Sequence, residues 1–398
     1  MQPMTAEQKQ RARRRRFLQN RAAQGLLAAA VLVLLILIQA AAHLLLTPKR
    51  FSEAENRMLA QPPELTLASI SDGSWFRSAE DWFADQFAGR DGWIALNLTA
   101  ARLFGQTEIN GVWLSRDGYL MEIPEEPDAE ALVQTEQAIC DFREAYPDMR
   151  VSLALIPNAS CIMAEWLPSD APAPDQRAIL RGIYGKLDGV TCIDVTDTLR
   201  MYRSNRLFYR TDHHWTSYGA KLAFETMAKQ LGIDAPVTTY ESYLLTDSFE
   251  GTLASKAGSH RYKDSIEIYV PQPETPYTVT YGDTQKTVCT LYDREKLSEK
   301  DKYAVFLGGN HARVDIQTTN DTGRTLMLLK DSYANCFVQL LLPYYDRILV
   351  LDPRYYYDDL ASALRREDVT DVLMLYNVNT FCQDRALSVV LRSACGGD

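Results

Sequence analysis

The sequence predicts an α/β fold with a parallel sheet covered by helices on both faces, preceded by one N-terminal transmembrane helix. Two observations predict it. Apolar segments of strand length alternate with helix-like segments from residue 151 to residue 376, and strands joined by helices pair in parallel with both faces buried. Residues 25–46 form an apolar run without formal charge, which is long enough to cross a bilayer core of about 30 Å.

Length, composition and charge exclude several classes of protein. The chain has 398 residues, 46% hydrophobic and 24% charged, so it is neither disordered, collagenous nor a disulfide framework. Residues 1–21 carry seven basic side chains and one acid, a net of +6, so the remainder carries −16 of the total −10. Nucleic-acid binding needs clustered cations, and we therefore expect no nucleic-acid partner.

The basic N-terminus and the apolar run together predict a membrane topology. Lys and Arg stay on the cytoplasmic side, so residues 1–24 are predicted to be a cytoplasmic tail and residues 25–46 a single-pass anchor. The chain after about residue 47 is then extracytoplasmic, and its membrane partner is the lipid bilayer. A cleaved signal peptide ending near residues 40–42 is the alternative, although its apolar region is normally about 7–15 residues.

The remaining chain divides into a lead-in and a main domain. Residues 47–110 are predicted to be a stalk and two amphipathic helices whose aromatic side chains form a core. Residues 111–398 are the predicted main domain, with a β-rich insertion at about residues 235–303. The main domain begins with a predicted hairpin over residues 111–120. Its other predicted strands are residues 151–156, 190–195, 325–329, 347–351 and 372–376. Its predicted helices are residues 128–146, 174–187, 197–202, 217–232, 332–342 and 357–366.

The seven cysteines predict no metal site. None forms a CxxC pair, and no histidine lies at zinc-ligand spacing from them. We predict no cofactor, and disulfides cannot be assigned from the sequence.

The first motif that carries chemistry is TDHHW at residues 211–215. An aspartate two residues before a histidine on a loop can reach the imidazole, which fixes the tautomer and stabilises the protonated ring. Asp212 would then leave the second nitrogen of His214 to act as a general base. Two alternatives stay open: a capping segment with a buried histidine pair, and a divalent-metal site made with His213.

The second motif is LLKDSYAN at residues 328–335. It places Ser332 between an apolar strand and a predicted helix, at the strand end where open α/β sheets form their sites. Backbone N–H groups at such a position can contribute to an oxyanion hole. Ordinary N-capping by aspartate or serine is the alternative. With Asp212 and His214, Ser332 completes a Ser-His-Asp set.

The string TDHHWT at residues 211–216 resembles the signature of the bacterial DHHW protein family. Further blocks that resemble the family are FSEAENRML at 51–59, DGSWF at 72–76, DQFAGRDGWI at 85–94, NGVWLSRDGYL at 110–120, YAVFLGGNHARVDI at 303–316, LLKDSYANCFVQLL at 328–341 and RILVLDPRYY at 347–356. That family is similar to the alginate O-acetyltransferase proteins of the AlgX and AlgJ type. The resemblance implies an SGNH-hydrolase-like three-layer sandwich.

The resemblance also implies an activity. Asp212 and His214 match the Asp-x-His motif and Ser332 the nucleophile, whereas Lys330 stands where glycine is usual. The implied function is O-acyl or O-acetyl transfer to a cell-surface polysaccharide through an acyl-serine, beside a membrane-bound O-acyltransferase partner. The alternatives are a carbohydrate esterase and a non-catalytic glycan-binding or scaffold protein. His311 is a second candidate base. Candidate oxyanion or substrate-binding residues are Gly309, Asn310, Tyr333, Asn335, Trp215, Arg354 and His213.

Overall fold

The computed structural model describes residues 6–45, 47–52, 54–55, 57–172 and 175–396. Residues 1–5 of the predicted tail and residue 46 of the predicted anchor lie outside these ranges. The chain forms two compact units, Met1–Asn97 and Leu98–Asp398. All seven cysteines are free thiols.

The N-terminal unit is dominated by one long helix. Helix α1 spans Ala6–Leu45. Its stretch Arg21–His43 has 23 residues, none of them buried in the most apolar 18-residue window, and that window has a mean hydropathy of 2.6. This helix is long and apolar enough to cross a membrane. The other elements that begin in this unit are β1 (Phe51–Ser52), β2 (Arg57–Met58), α2 (Leu67–Ser71), α3 (Ser74–Asp85) and α4 (Arg90–Leu103).

The aromatic side chains of α3 and α4 differ from the expectation. They were expected to form a core, but Phe76, Phe83 and Trp93 are 59%, 52% and 50% exposed, so that prediction is wrong for them. The described residues of 47–97 include only three buried side chains, Ser52, Leu59 and Ala79. These short helices therefore lack enough apolar neighbours to enclose the rings.

The second unit is built on a mixed sheet of eight strands, which confirms the predicted α/β class. Five parallel strands lie in the order β14, β13, β15, β6, β7, and the sheet continues beyond β14 with antiparallel β12, β10 and β11. The bounds of these strands are β6 Arg150–Ile156, β7 Thr191–Ile193, β10 Tyr277–Tyr281, β11 Thr287–Val288, β12 Arg313–Thr318, β13 Thr325–Lys330, β14 Arg347–Leu351 and β15 Asp371–Asn377. Only residues 319–324 separate β12 from β13, so the chain reverses there instead of crossing over.

Smaller sheets and the helices complete this unit. The strands outside the main sheet are β3 (Glu108–Ile109), β4 (Val112–Leu114), β5 (Leu120–Glu122), β8 (Tyr240–Phe249) and β9 (Asp264–Pro271). The helices are α5 (Ala129–Ala145), α6 (Ala159–Ile162), α7 (Gln176–Tyr184), α8 (Thr196–Met201), α9 (Ser217–Met227), α10 (Thr252–Ala257), α11 (Leu360–Arg366), α12 (Val378–Gln383) and α13 (Ala386–Ala394). Strand β10 comes from the segment predicted as a β-rich insertion, and it extends the main sheet.

Two apolar layers cover the sheet, one on each face. Along β13, Leu328 packs with α8 and α9 on one side, whereas Met327 and Leu329 pack with α5, α11 and α13 on the other. This alternation is the period of two that a strand imposes. The resulting helix–sheet–helix arrangement is the predicted three-layer sandwich.

The segment after β13 folds differently from the expectation. Residues 332–342 were predicted to be one helix, but they form short 3-10 turns at Ser332–Cys336, Val338–Leu340 and Leu342–Tyr344. Almost every side chain in this segment is buried, so no polar face remains to favour a regular amphipathic helix. Packing on all sides sets the backbone instead.

Glycine at position 219 lets α9 approach the loop that carries the TDHHW motif. A Cβ at Gly219 would lie 2.5 Å from the carbonyl oxygen of Leu207, and the Thr216 N–H donates to that same oxygen at 2.8 Å. Helix α9 therefore holds both ends of this loop through close backbone contact.

We predict that Gly219→Ala destabilises the protein by about 1–3 kcal/mol, because the added methyl group forces the helix away from the Leu207 backbone. The matched control is Gly182→Ala in α7, where a Cβ meets nothing within 4 Å. That change should stabilise the helix by about 0.5–1 kcal/mol. Denaturant unfolding of the detergent-solubilised chain measures both, and equal effects would contradict the close-contact explanation.

Candidate active site

Three side chains from distant parts of the chain form one chain of hydrogen bonds. His214 Nδ1 lies 2.6 Å from Asp212 Oδ1, and His214 Nε2 lies 2.7 Å from Ser332 Oγ. Asp212 and His214 are both buried, at 3% and 6% exposure. The structure thus brings together the three residues that the sequence nominated for catalysis.

The second oxygen of Asp212 is held by α10. The backbone N–H and the hydroxyl of Thr252 donate to Asp212 Oδ2 at 2.8 and 3.0 Å. Gly251 makes this approach possible, because a Cβ there would lie 2.2 Å from the Cβ of Asp212. Sequence reasoning missed both residues, since nothing in a Gly-Thr pair forty positions away indicates contact with the motif.

Aromatic side chains fix the two motifs against each other. Tyr303 stacks on the His214 ring at a centroid distance of 3.9 Å, and its hydroxyl donates to the carbonyl of Ser332 at 3.1 Å. The Trp215 indole donates to the Tyr333 carbonyl at 2.8 Å, while the Tyr333 hydroxyl donates to the His213 carbonyl at 2.5 Å. Trp215 and Tyr333 are almost completely buried, so their role is to hold the two motifs together.

A buried charged cluster lies beside the serine, at the carboxyl ends of β13 and β14. Lys330 Nζ lies 3.0 Å from Asn310 Oδ1 and 3.3 Å from Asp352 Oδ2. Arg354 contacts both oxygens of Asp352, at 2.8 and 2.6 Å. Lys330 therefore directs its side chain into this cluster, and Arg354 is engaged in an ion pair.

Asn310 is oriented by two donors to its side-chain oxygen. Asn335 Nδ2 donates to Asn310 Oδ1 at 3.1 Å, and Lys330 Nζ donates to the same oxygen at 3.0 Å. Because both donors occupy the oxygen, the amide nitrogen must face the other way, and it has no partner among the described residues. Asn310 is exposed, so it presents a free N–H donor to solvent.

Two backbone N–H groups that are candidates for an oxyanion hole, those of Ser332 and Gly309, differ in their hydrogen bonds. Its N–H donates to no atom in the part of the chain that the structure describes. The Gly309 N–H, in contrast, donates to the Phe306 carbonyl at 3.1 Å. Gly309 contributes a turn with φ of 111°, a conformation that favours glycine, and its N–H is not available to a ligand.

Asp331 anchors the serine turn to the sheet. Its carboxylate accepts from the N–H of Tyr333 and from the N–H of Asn377, each at 2.9 Å. Burial raises the pKa of Asp331, against the opposing effect of these two donors. The Ser332 turn is therefore fixed to the end of β15 as well as to β13.

The two remaining candidate histidines lie outside the hydrogen-bond chain. His213 Nδ1 lies 2.9 Å from Thr252 Oγ1, and His311 Nδ1 lies 2.9 Å from Asp283 Oδ2. Donor atoms of Asp212, His213 and His214 all lie within 4.8 Å of one another. The carboxylate of Asp212 and the ring of His214 form hydrogen bonds with each other, with Thr252 and with Ser332. Their donor atoms are therefore arranged as a hydrogen-bond chain.

Electrostatics favours a neutral His214 beside an ionised Asp212. Burial and the neighbouring His213 together lower the pKa of His214 to about 4, against the opposing effect of Asp212. Burial pushes the pKa of Asp212 upward, but the two histidines and the hydrogen bonds to the carboxylate outweigh it and hold this pKa far below its usual range. A neutral His214 is the form that accepts a proton from serine.

Two family models match parts of this chain. Residues 112–309 match the SGNH hydrolase-like domain of the acetyltransferase AlgX, and residues 55–131 match the DHHW protein model. The first match includes Asp212 and His214. It ends at Gly309, before Asn310 and Ser332. The assignment of Ser332 to this site therefore depends on its hydrogen bond with His214 in this chain.

Individual relatives are distant. A probable alginate O-acetylase AlgJ from Pseudomonas syringae pv. tomato is 25% identical over 217 residues, covering 51% of this chain and 52% of that protein. The chain thus spans about half the length of the curated relatives it matches. A DHHW family protein from Eubacterium siraeum superposes with a TM-score of 0.62 at 23% identity, covering 71% of this chain and 95% of the other. Bacillus cereus PatB1 with a sulfonyl adduct gives 0.57 at 18%, covering 69% and 96%. These structures share the fold.

The pKa of His214 predicts an unusual pH dependence for the reactivity of Ser332. Only the neutral imidazole can accept the serine proton, and a pKa of about 4 keeps it neutral at pH values where an ordinary histidine, with a pKa of about 6.5, is protonated. The rate of Ser332 modification by phenylmethylsulfonyl fluoride should stay flat from about pH 8 to about pH 5.5 and fall below that.

His213→Gln should move this acid limb to higher pH, because the change removes the electrostatic effect by which His213 lowers the pKa of His214. His311→Gln, at a histidine outside the hydrogen-bond chain, is the matched control and should leave the limb in place. An acid limb near pH 6.5 in the wild-type chain would contradict the prediction.

Proposed function

We propose that this chain is a membrane-anchored serine O-acyltransferase of acetyltransferase type, which acts on a cell-surface polysaccharide. The similarity to the AlgX model and to proteins named as probable alginate O-acetylases supports the reaction class. The observation that carries the proposal is the continuous Asp212–His214–Ser332 hydrogen-bond chain. A serine with this pair of partners is a nucleophile activated by an adjacent base.

The first half-reaction forms an acyl-serine. His214 Nε2 takes the proton of Ser332 Oγ as this oxygen attacks the acyl carbon of the donor, and a tetrahedral oxyanion results. When the oxyanion collapses, the bond from the acyl carbon to the donor's leaving group breaks, and His214 returns the proton to that group. Asp212 stays ionised throughout and stabilises the transient imidazolium.

The second half-reaction passes the acyl group to a sugar. His214 takes the proton of a sugar hydroxyl, whose oxygen attacks the acyl-serine carbonyl. Collapse of this second tetrahedral intermediate releases the sugar ester, and the proton returns to Ser332 Oγ. Only a proton and an acyl group are exchanged, so the reaction needs no further reactant.

The proposed oxyanion hole has two donors. We assign this role to the Ser332 N–H and to Asn310 Nδ2, since both lack partners among the described residues. Lys330 and Asn335 would act as positioning residues, because they hold the oxygen of Asn310 and so turn its nitrogen outward. In this assignment the lysine that replaces the usual glycine orients the oxyanion hole.

The exposed apolar helix Arg21–His43 supports membrane anchoring. With the basic residues before it, we place the N-terminus in the cytoplasm and the catalytic unit outside. As the resemblance implies, we propose that a membrane-bound O-acyltransferase delivers the acyl group to the enzyme in this position. The acidic charge of the outer chain favours a neutral acceptor polysaccharide.

The same triad supports a carbohydrate esterase as a second function, because water can replace the sugar hydroxyl in the second half-reaction. Product analysis separates the two: transfer yields an acylated sugar, and hydrolysis yields free acid. A non-catalytic scaffold has less support, since a binding surface has no need for a serine 2.7 Å from a base that is itself held by a buried carboxylate.

We predict that 4-nitrophenyl acetate adds one acetyl group to Ser332, detected by intact-mass and peptide mass spectrometry. Ser332→Ala should abolish the adduct, and His214→Gln should slow its formation by three orders of magnitude or more. Ser160→Ala, at a buried serine outside the hydrogen-bond chain, is the matched control. An undiminished adduct in Ser332→Ala would refute the assignment.

Loss of the Asn310 amide should slow acylation. Asn310→Ala is expected to lower kcat by about 10²–10³ with little change in KM, because the donor acts on the oxyanion in the transition state. Asn205→Ala, at an exposed asparagine that contacts Tyr218, is the control and should keep kcat. A rise in KM without a fall in kcat would contradict the oxyanion role.

A further inference from the structure

Three large aromatic side chains of the N-terminal unit are exposed close to one another in the sequence. Phe83 in α3, Phe87 just after this helix and Trp93 at the start of α4 are 52%, 41% and 50% exposed. The rings of Phe87 and Trp93 meet edge-on at a centroid distance of 6.4 Å. We call these three side chains the aromatic patch. Exposed apolar surface of this kind marks a place where another apolar medium binds.

The aromatic patch adjoins the C-terminal end of the apolar run in α1. The ring of His43 stacks on the ring of Phe83 at a centroid distance of 4.5 Å. The side chain of Gln39 donates from Nε2 to the carbonyl of Ala88 at 3.2 Å. Every side chain from Arg21 to Ile38 is exposed, whereas Gln39 and His43 are half-buried. The segment that carries the patch therefore packs on the last two turns of α1, where the apolar run ends.

These contacts set the depth of the aromatic patch in a bilayer. The apolar stretch Arg21–His43 has 23 residues, so it is about 34 Å long at about 1.5 Å per residue. A hydrocarbon core is about 30 Å thick, which places His43 at its boundary. Gln39 lies one turn, or about 6 Å, deeper. The Phe83 ring and the Ala88 carbonyl touch these two side chains, so they lie between the headgroups and the first part of the acyl chains.

The side chains suit this zone. Tryptophan is enriched at membrane–water interfaces, and apolar rings gain free energy when they leave water. The two polar side chains that interrupt the apolar run, Gln39 and His43, contact this segment, which reduces their contact with lipid. Helix α3 carries one cation, Arg77, and three acids. Attraction to anionic lipid therefore does not drive the contact, and insertion of the rings does.

We propose that the aromatic patch inserts into the extracytoplasmic leaflet, at the boundary between phospholipid headgroups and acyl chains. It is a second membrane contact beside the transmembrane helix, of the kind that interfacial helices make. This assignment rests on the membrane anchoring in the proposed function, because the depth is measured from α1. A second copy of the chain suits the patch less well, since the end of a membrane-spanning helix is already surrounded by phospholipid.

Tryptophan fluorescence in brominated phosphatidylcholine measures this depth, because bromine quenches an indole only at close range. The full chain is placed in nanodiscs whose lipid carries bromine either near the glycerol or near the methyl end of the acyl chain. Phe83→Trp and Phe87→Trp each add an indole at an exposed ring. We expect the shallow bromine to quench the added fluorescence about twice as strongly as the deep bromine, as for rings at the headgroup–acyl boundary. Trp93→Phe should remove a component with the same depth profile.

Two variants calibrate the measurement. Leu32→Trp places an indole in the middle of the apolar run, and the deep bromine should quench it more than the shallow one. Tyr357→Trp places an indole at a ring of the second unit that is 90% exposed, and neither bromine should quench it. The comparison separates lipid contact from exposure alone.

The proposal is overturned if the indoles at positions 83 and 87 behave like the one at position 357, or if the deep bromine quenches them more. It is also overturned if both bromines fail to reach them and the chain has the mass of a dimer in the nanodisc, because a second copy then covers the patch. Normal quenching of Leu32→Trp with none at positions 83 and 87 overturns this proposal alone. Loss of quenching in Leu32→Trp overturns the membrane anchoring, while acylation of Ser332 by 4-nitrophenyl acetate reports the catalytic part of the proposed function separately.

Discussion

The buried charge of Asp212 is the constraint on which the rest of the site depends. An ionised carboxylate away from water is costly unless hydrogen bonds compensate it, and here they come from the imidazole of His214 and from Thr252. To supply them, the motif loop must turn its histidine inward and the start of α10 must approach the carboxylate. Gly251 permits that approach. The orientation of His214 toward Ser332 follows from this one requirement.

A second buried charge organises the other side of the serine. Lys330, at 1% exposure, needs a compensating partner for the same reason, and Asp352 at the end of the adjacent strand provides it. Burial lowers the pKa of Lys330, against the opposing effect of Asp352. This cluster fixes the oxygen of Asn310 and thereby the direction of its amide nitrogen. The parallel sheet makes both arrangements possible, since it brings the ends of β13, β14 and β15 to one edge.

The sequence predicted well whatever depends on a local pattern. The alternation of apolar segments gave the α/β class and the three layers, and the spacing in TDHHW placed Asp212 and His214 in contact. It could not predict contacts between distant segments, such as Thr252 with Asp212 or Tyr303 with His214. It also missed the 3-10 turns after Ser332, because a segment buried on all sides has no polar face to show a period. The exposure of Phe76 and Phe83 depended on how few neighbours the short helices have, which periodicity does not report.

The most direct test of the account is the protonation state of His214, read by nitrogen-15 NMR of the histidine rings with His214→Gln for assignment. A proton on Nδ1, shared with Asp212, and a bare Nε2 facing Ser332 should persist from about pH 8 to about pH 5.5, consistent with a pKa of about 4. A proton on Nε2 at pH 7, or a ring that titrates like an ordinary histidine near pH 6.5, would contradict it.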